Sequence, residues 1–233
     1  MTIKRTLKNF IVAGLFALAP IASAGDMPKP YVQTTVASDY VSSQGSAVRE
    51  AGRQDWISIG AKDITLGIFQ NQFFDERSIS ERDFCASYSR PVSSNLTGTV
   101  GFQYWDYPNK RFGKFDSVEI IGLDYSGKIN VSLNYAHLNK NSAVENGDRI
   151  ALKISKPLTL FAGKTKVSLT PSLSSAYINN FYGCSGIPEV SSGLSFGISR
   201  GNLSFNLSGT AQKSLDSCFE TLNWGTAGIG YQF

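Results

Sequence analysis

The chain has 233 residues, 22 basic and 18 acidic side chains, one histidine and three cysteines. Three of the basic residues (Lys4, Arg5 and Lys8) and none of the acidic ones lie in the first 24 positions, so residues 25–233 carry a net charge of +1, which argues against a nucleic acid or other polyanion as partner. Beyond residue 24 no apolar run is long enough for a membrane-spanning helix.

The N-terminus comes first. Lys4, Arg5 and Lys8 form a basic region, Phe10 to Ala19 a short apolar run, and Ala22-Ser23-Ala24 a small-residue cleavage site. Together they predict a signal peptide over 1–24, cleaved on export, and a single domain over 25–233. No cysteine follows the cleavage site to carry a lipid anchor.

The rest of the chain reads as strands. Runs rich in Val, Ile, Thr, Tyr and Phe recur near residues 30–40, 54–61, 64–71, 82–90, 95–105, 115–125, 128–138, 148–156, 165–177, 190–200, 203–212 and 223–233. No helical period is sustained after the signal. Connections alternate in length. Lys62-Asp63, Pro91 to Ser94, Ser126-Gly127 and Gly201-Asn202 are tight, with Lys156 to Lys164 the longest of that set. Val41–Arg53, Gln72–Glu81, Asp106–Lys114, Asn139–Gly147, Asn179–Glu189 and Lys213–Leu222 are longer and more polar. A sandwich gives no reason for that alternation. An antiparallel transmembrane β-barrel of about twelve strands does, with short periplasmic turns and longer outer loops. Only helices and closed barrels satisfy their backbone groups in lipid, and this chain lacks the helices.

Side chains alternate accordingly. Leu96, Val100, Phe102 and Tyr104 oppose Thr97, Thr99 and Gln103; Ile129, Val131, Leu133 and Tyr135 oppose Asn130, Ser132 and Asn134; Leu203, Phe205 and Leu207 oppose Ser204, Asn206 and Ser208. In a barrel the apolar phase meets lipid and the polar phase the lumen. Two strands are ambiguous: Glu119 shares a phase with Ile121, Leu123 and Tyr125 against Val118 and Ile120, and Trp56 and Ile57 fall in opposite phases. Tyr31, Tyr40, Tyr88, Tyr104, Tyr125, Tyr135, Tyr177 and Tyr231 lie near strand ends, where aromatic girdles would place them. The last stretch, N-W-G-T-A-G-I-G-Y-Q-F, resembles the terminal strand of bacterial outer-membrane barrel proteins. That resemblance implies an assembly signal at Ile229, Tyr231 and Phe233, read by the barrel-assembly machinery, with periplasmic chaperones as earlier partners.

Few residues suggest chemistry. The only histidine, His137, falls in the outward phase near an outer loop, and no Ser-His-Asn or Asp-His arrangement is evident around it in the sequence. A base must reach its proton, so an interfacial side chain is the expected role and no catalytic residue is assigned. No Cys or His pair has metal-ligand spacing, and no cofactor is expected. Cys184 and Cys218 fall in neighbouring outer loops of an oxidising compartment and are expected to pair, leaving Cys85 in the polar phase. Candidate lumen-lining residues are Asp39, Asp83, Cys85, Thr97, Thr99, Gln103, Ser132, Asn134, Arg149, Lys153, Lys166 and Asn206. Charges among them serve either ion preference or a salt-bridged plug.

Ala37 to Gly45 (A-S-D-Y-V-S-S-Q-G) together with Tyr104-Trp105-Asp106-Tyr107-Pro108 resembles the TorF family of porin-like barrel proteins. Ser42 and Ser43 stand where that family usually has Phe and Arg, and Gly45 is displaced. The resemblance implies a barrel in the Gram-negative outer membrane and a transport role. The reading is therefore a porin-like barrel, surrounded by outer-membrane lipids, that passes small polar solutes or ions. The alternatives are a closed structural or surface-interaction barrel, a membrane-embedded hydrolase and a soluble secreted sandwich.

Overall fold

The computed structural model describes residues 28–41, 47–48, 50–76, 78–108, 115–140, 146–181, 184–215 and 221–233. Among these, twelve strands form the wall: β1 Lys29–Ala37, β2 Gly52–Ala61, β3 Ile64–Phe73, β4 Glu81–Ser93, β5 Leu96–Asp106, β6 Phe115–Tyr125, β7 Asn130–Lys140, β8 Gly147–Ser155, β9 Thr165–Phe181, β10 Glu189–Arg200, β11 Leu203–Ser214 and β12 Leu222–Gln232. Each pairs antiparallel with its neighbours in chain order, and β1 pairs with β12 from Tyr31 opposite Gln232 to Ala37 opposite Thr226. The sheet is thus closed and its wall has no free edge. No described helix is long and apolar enough to cross a membrane, which says nothing of crossing by strands.

The expected barrel is borne out, and so is its strand number. Three connections hold more than expected; in one, the fifth outer loop, Cys184–Gly186 pairs with the end of β9. The periplasmic segment 156–164 contains a short strand, Leu158–Ala162, that extends the sheet by pairing with the start of β9. In the first outer loop Tyr40–Val41 pairs with Ala47–Val48.

Period-two alternation places the apolar phase outside. Ile57 (54% exposed), Leu66, Val100, Ile121, Leu133, Leu152, Leu194 and Ile229 (53%) are open on the outer surface. So continuous an apolar belt is incompatible with water and fits the hydrocarbon core of a bilayer. The ambiguous strands resolve by the same test. Ile57 and Ile59 are exposed on the outside while Ser58 is buried and Trp56 packs inside; Ile121, Leu123, Tyr125 and Glu119 are exposed while Val118 is buried with Ile120 against it. Tyr88, Tyr125, Tyr135, Tyr177 and Tyr231 are exposed outside, as girdle residues would be. Tyr31 corrects that expectation. It faces the interior, where its hydroxyl donates to Gln33 Oε1 at 2.9 Å, because it shares the phase of Gln33 and Thr35.

Candidate functional site

The candidate site is the barrel interior, and it has two zones. Toward the periplasmic turns most inward side chains are short and polar; Ser58, Ser87 and Ser89 are buried, while those of β5 and of β7 to β11 remain open. Asn206 and Ser195 are exposed although they point inward, as is Lys153; Thr97, Thr99, Ser132, Asn134 and Ser172 are half-exposed. Neighbours on adjacent strands hydrogen-bond across this wall: Ser89 with Thr99 at 2.9 Å, Ser132 donating to Asp124 Oδ1 at 2.5 Å, and Ser208 with Thr226 at 2.7 Å. Short side chains of this kind leave the centre of the barrel unfilled.

Toward the outer loops the interior is filled. Phe69, Phe73, Trp105, Tyr107, Val118, Ala136, Leu138 and Ile178 form one buried cluster, with Trp56 and Ile120 packed against it. Trp105 donates from Nε1 to Gln103 Oε1 at 3.1 Å. Polar groups are buried beside the cluster: Asn71 donates from Nδ2 to Ser80 Oγ at 2.9 Å, and Glu81, Asp83, Asp116 and Glu189 are each less than a tenth exposed. Asp83 sits directly between Phe69 and Trp105 on the flanking strands. The outer half is therefore the constriction and the periplasmic half a wet vestibule.

Each proposed lining residue can be placed. Asp83 and Cys85 are buried on β4, at the constriction, and Gln103 is buried opposite Cys85. Thr97, Thr99, Ser132, Asn134, Lys153 and Asn206 line the vestibule, with Lys166 exposed at its periplasmic end. Arg149 stands inward near the constriction, attracted by the Glu189 carboxylate across β9. Asp39 lies beyond the end of β1 at the outer rim and accepts from the Ser38 hydroxyl at 3.1 Å. The acidic groups of the constriction are thus covered, and the charges that meet vestibule water are those of Lys153 and Lys166, partly offset by the half-exposed Asp124 that accepts from Ser132.

Alternation alone assigns none of the buried aromatic groups to the constriction. The available signal is an aromatic in a polar phase: Trp105 shares its phase with Gln103 and Thr99, and Trp56 with Gln54 and Ser58.

His137 is on the outside, and it has an acidic partner that the sequence reading did not identify. Its Nδ1 is 2.8 Å from Asp148 Oδ1, and the Tyr135 hydroxyl donates to the same oxygen at 2.6 Å. The reason is pairing: His137 lies opposite Asp148 on β8 and opposite Glu119 on β6. Such a pair can orient an imidazole. Among the described residues no serine or threonine hydroxyl is bonded to it, and no group of three or more His, Cys, Asp or Glu could hold a metal ion.

Cys85 is a free, buried thiol and Cys184 is disulfide-bonded. Cys218, its expected partner, lies outside the described residues. The pairing predicts a labelling pattern. Denatured without reductant, the protein should take up one thiol-reactive mass tag per chain, at Cys85, and three after reduction. Three tags without reduction would dismiss the bridge.

A closed antiparallel barrel with a lipid-facing apolar belt and a polar interior defines the outer-membrane barrel class. No protein-family model matches the sequence, and no curated protein matches it. Solved structures do. The chain is similar to the KdgM porin at 12% identity and a TM-score of 0.61, over 87% of this chain and 99% of that one. It is similar to the NanC porin at 10% identity and a TM-score of 0.55, over 88% and 98%. LpxR from Salmonella typhimurium follows at 9% identity and a TM-score of 0.51, over 86% and 99%. Likeness at such identities is a likeness of fold, and that fold is the outer-membrane barrel.

Proposed function

We propose that the protein is an outer-membrane porin-like barrel through which small polar solutes or ions pass passively. The observation that carries the reading is the vestibule: inward-pointing Asn206, Ser195 and Lys153 are exposed, as a water-filled passage requires. The similar KdgM and NanC porins support it. Kinship with the TorF family, export through a cleaved signal over 1–24 and recognition of Ile229, Tyr231 and Phe233 by the barrel-assembly machinery belong to the same proposal. His137 and Asp148 are read as an interfacial tie between β7 and β8 rather than a catalytic pair.

Planar-bilayer recording of the refolded protein tests this reading. Discrete current steps that scale with salt are expected, and a correctly inserted barrel without steps would overturn it. The exposed Lys153 and Lys166 predict a mild anion preference, because charges that meet the permeating ion set selectivity while covered ones are screened by their neighbours. Lys153→Glu should move the reversal potential in a salt gradient toward cation preference; an unchanged potential would remove Lys153 from the path.

The filled outer half favours one second reading, a barrel closed at its outer end that acts as a structural or surface element. Loop truncations that abolish partner binding without affecting assembly would support it.

A further inference from the structure

We infer that the periplasmic hairpin around Leu158–Ala162 binds an anionic phospholipid of the inner leaflet. The inference concerns the outside of the wall and stands whether or not the lumen conducts. Leu158–Ala162 prolongs the line of β8 past the point where its other neighbour ends. β7 begins at Asn130, opposite Ser155, so among the described residues the short strand pairs with β9 alone. Hydrocarbon cannot satisfy unpaired N–H and C=O groups, so the open side of this strand belongs at the level of the headgroups. Five residues of tilted strand add roughly 12 Å along the barrel axis, enough to carry the wall from the apolar belt into that layer.

The side chains of the hairpin continue the lipid-facing surface. A register shift between Thr159 and Phe161 sets Leu158 opposite Leu169 and Phe161 opposite Val167, both in the outward phase of the exposed Leu173. Leu160 and Phe161 are each 59% exposed. The belt and this patch are therefore one surface, and what changes along it is charge. Lys156 precedes the short strand and Lys164 follows it. Lys128 lies in the neighbouring turn, and Arg200 stands opposite Thr165 on β10. All four are exposed. No Asp or Glu occurs within 125–130, 155–170 or 197–204. Across the barrel, six strands away, the Lys62-Asp63 turn carries both signs.

An acyl chain that ends in a phosphate matches this sequence of surfaces. Lysine ammonium groups and the open backbone N–H groups can donate to phosphate oxygens, while Leu158 and Phe161 lie along the upper part of the chain. Each lysine near the membrane surface should favour an anionic lipid by about fivefold. A second copy of the barrel fits less well, because it would bring the same cations against these.

Native mass spectrometry of the refolded protein in detergent tests the site, with dioleoylphosphatidylglycerol or dioleoylphosphatidylcholine added. One phosphatidylglycerol should be retained roughly tenfold or more above phosphatidylcholine. Lys128→Gln, Lys156→Gln and Lys164→Gln together should bring that preference close to one, whereas Lys62→Gln should leave it unchanged. Phe161→Ser should weaken retention of both lipids and keep the preference. All five residues are exposed, and heat-modifiable migration verifies the barrel in each variant. Equal retention of the two lipids overturns the site, as does a preference that survives the triple variant. Glycerol 3-phosphate has no acyl chains; if it competes as well as phosphatidylglycerol does, a lipid is not the ligand. A Glu-rich extended peptide that displaces the lipid at lower concentration, and protects the Leu158–Ala162 amides from hydrogen exchange, would overturn the lipid in favour of a protein partner.

Discussion

Trp105→Ala is expected both to open the constriction and to weaken the fold. Trp105 is 1% exposed, packs in the buried cluster and bonds Gln103 through Nε1. Truncating a buried tryptophan removes contacts on every side and leaves a cavity that a closed wall cannot collapse to fill. The cost should be about 3–5 kcal/mol, read from denaturant unfolding in lipid vesicles. The same cavity lies where the interior is narrowest, so single-channel conductance should rise. A destabilised barrel with unchanged conductance would place the limiting section elsewhere along the path. Gln103 would also lose its donor, so Trp105→Phe, which restores much of the volume but not the hydrogen bond, separates packing from bonding.

The second large effect is expected on the other face. Leu207, midway along β11, is 49% exposed on the outer surface, and its neighbour Ser208 points inward and bonds Thr226. Leu207→Arg should cost about 2–4 kcal/mol if residue 207 lies at the bilayer midplane. Ser208→Ala, one position away, loses a single hydroxyl bond and should cost about 1 kcal/mol. A cheap arginine at 207 would mean that this position is not in hydrocarbon.

The strands were legible because lipid on one side and water on the other impose a strict period of two, which turns interrupt at regular intervals. Residues 203–212 and 223–233 were read within a residue or two of β11 and β12 for this reason. The constriction was less legible. A phase says which way a side chain points, not how much water it meets, so Asp83 and Lys153 look alike in sequence although one is buried and the other exposed. Trp56 and Ile57 were ambiguous because an apolar residue on each face cancels the alternation. The His137–Asp148 contact was missed for another reason. It depends on the register of the β7–β8 pair, which the polar loop between them leaves open.

The closing ladder has a consequence for biogenesis. Pro30 O accepts hydrogen bonds from both the Gln232 side chain at 2.8 Å and the Phe233 backbone at 2.9 Å, so the seam joins positions about as far apart along the chain as the described residues allow. Hairpins such as β10–β11 can form from local sequence, but none of them removes the two open edges. Those edges persist until the last strand arrives, and joining such distant segments carries a large entropic cost that nearer contacts do not offset. The last strand must therefore be synthesised before any cylinder exists, and until it pairs the open strand edges invite pairing with other chains. Removing β12 would leave an eleven-stranded ribbon with exposed rims rather than a narrower cylinder, and such a chain should aggregate or be degraded instead of inserting.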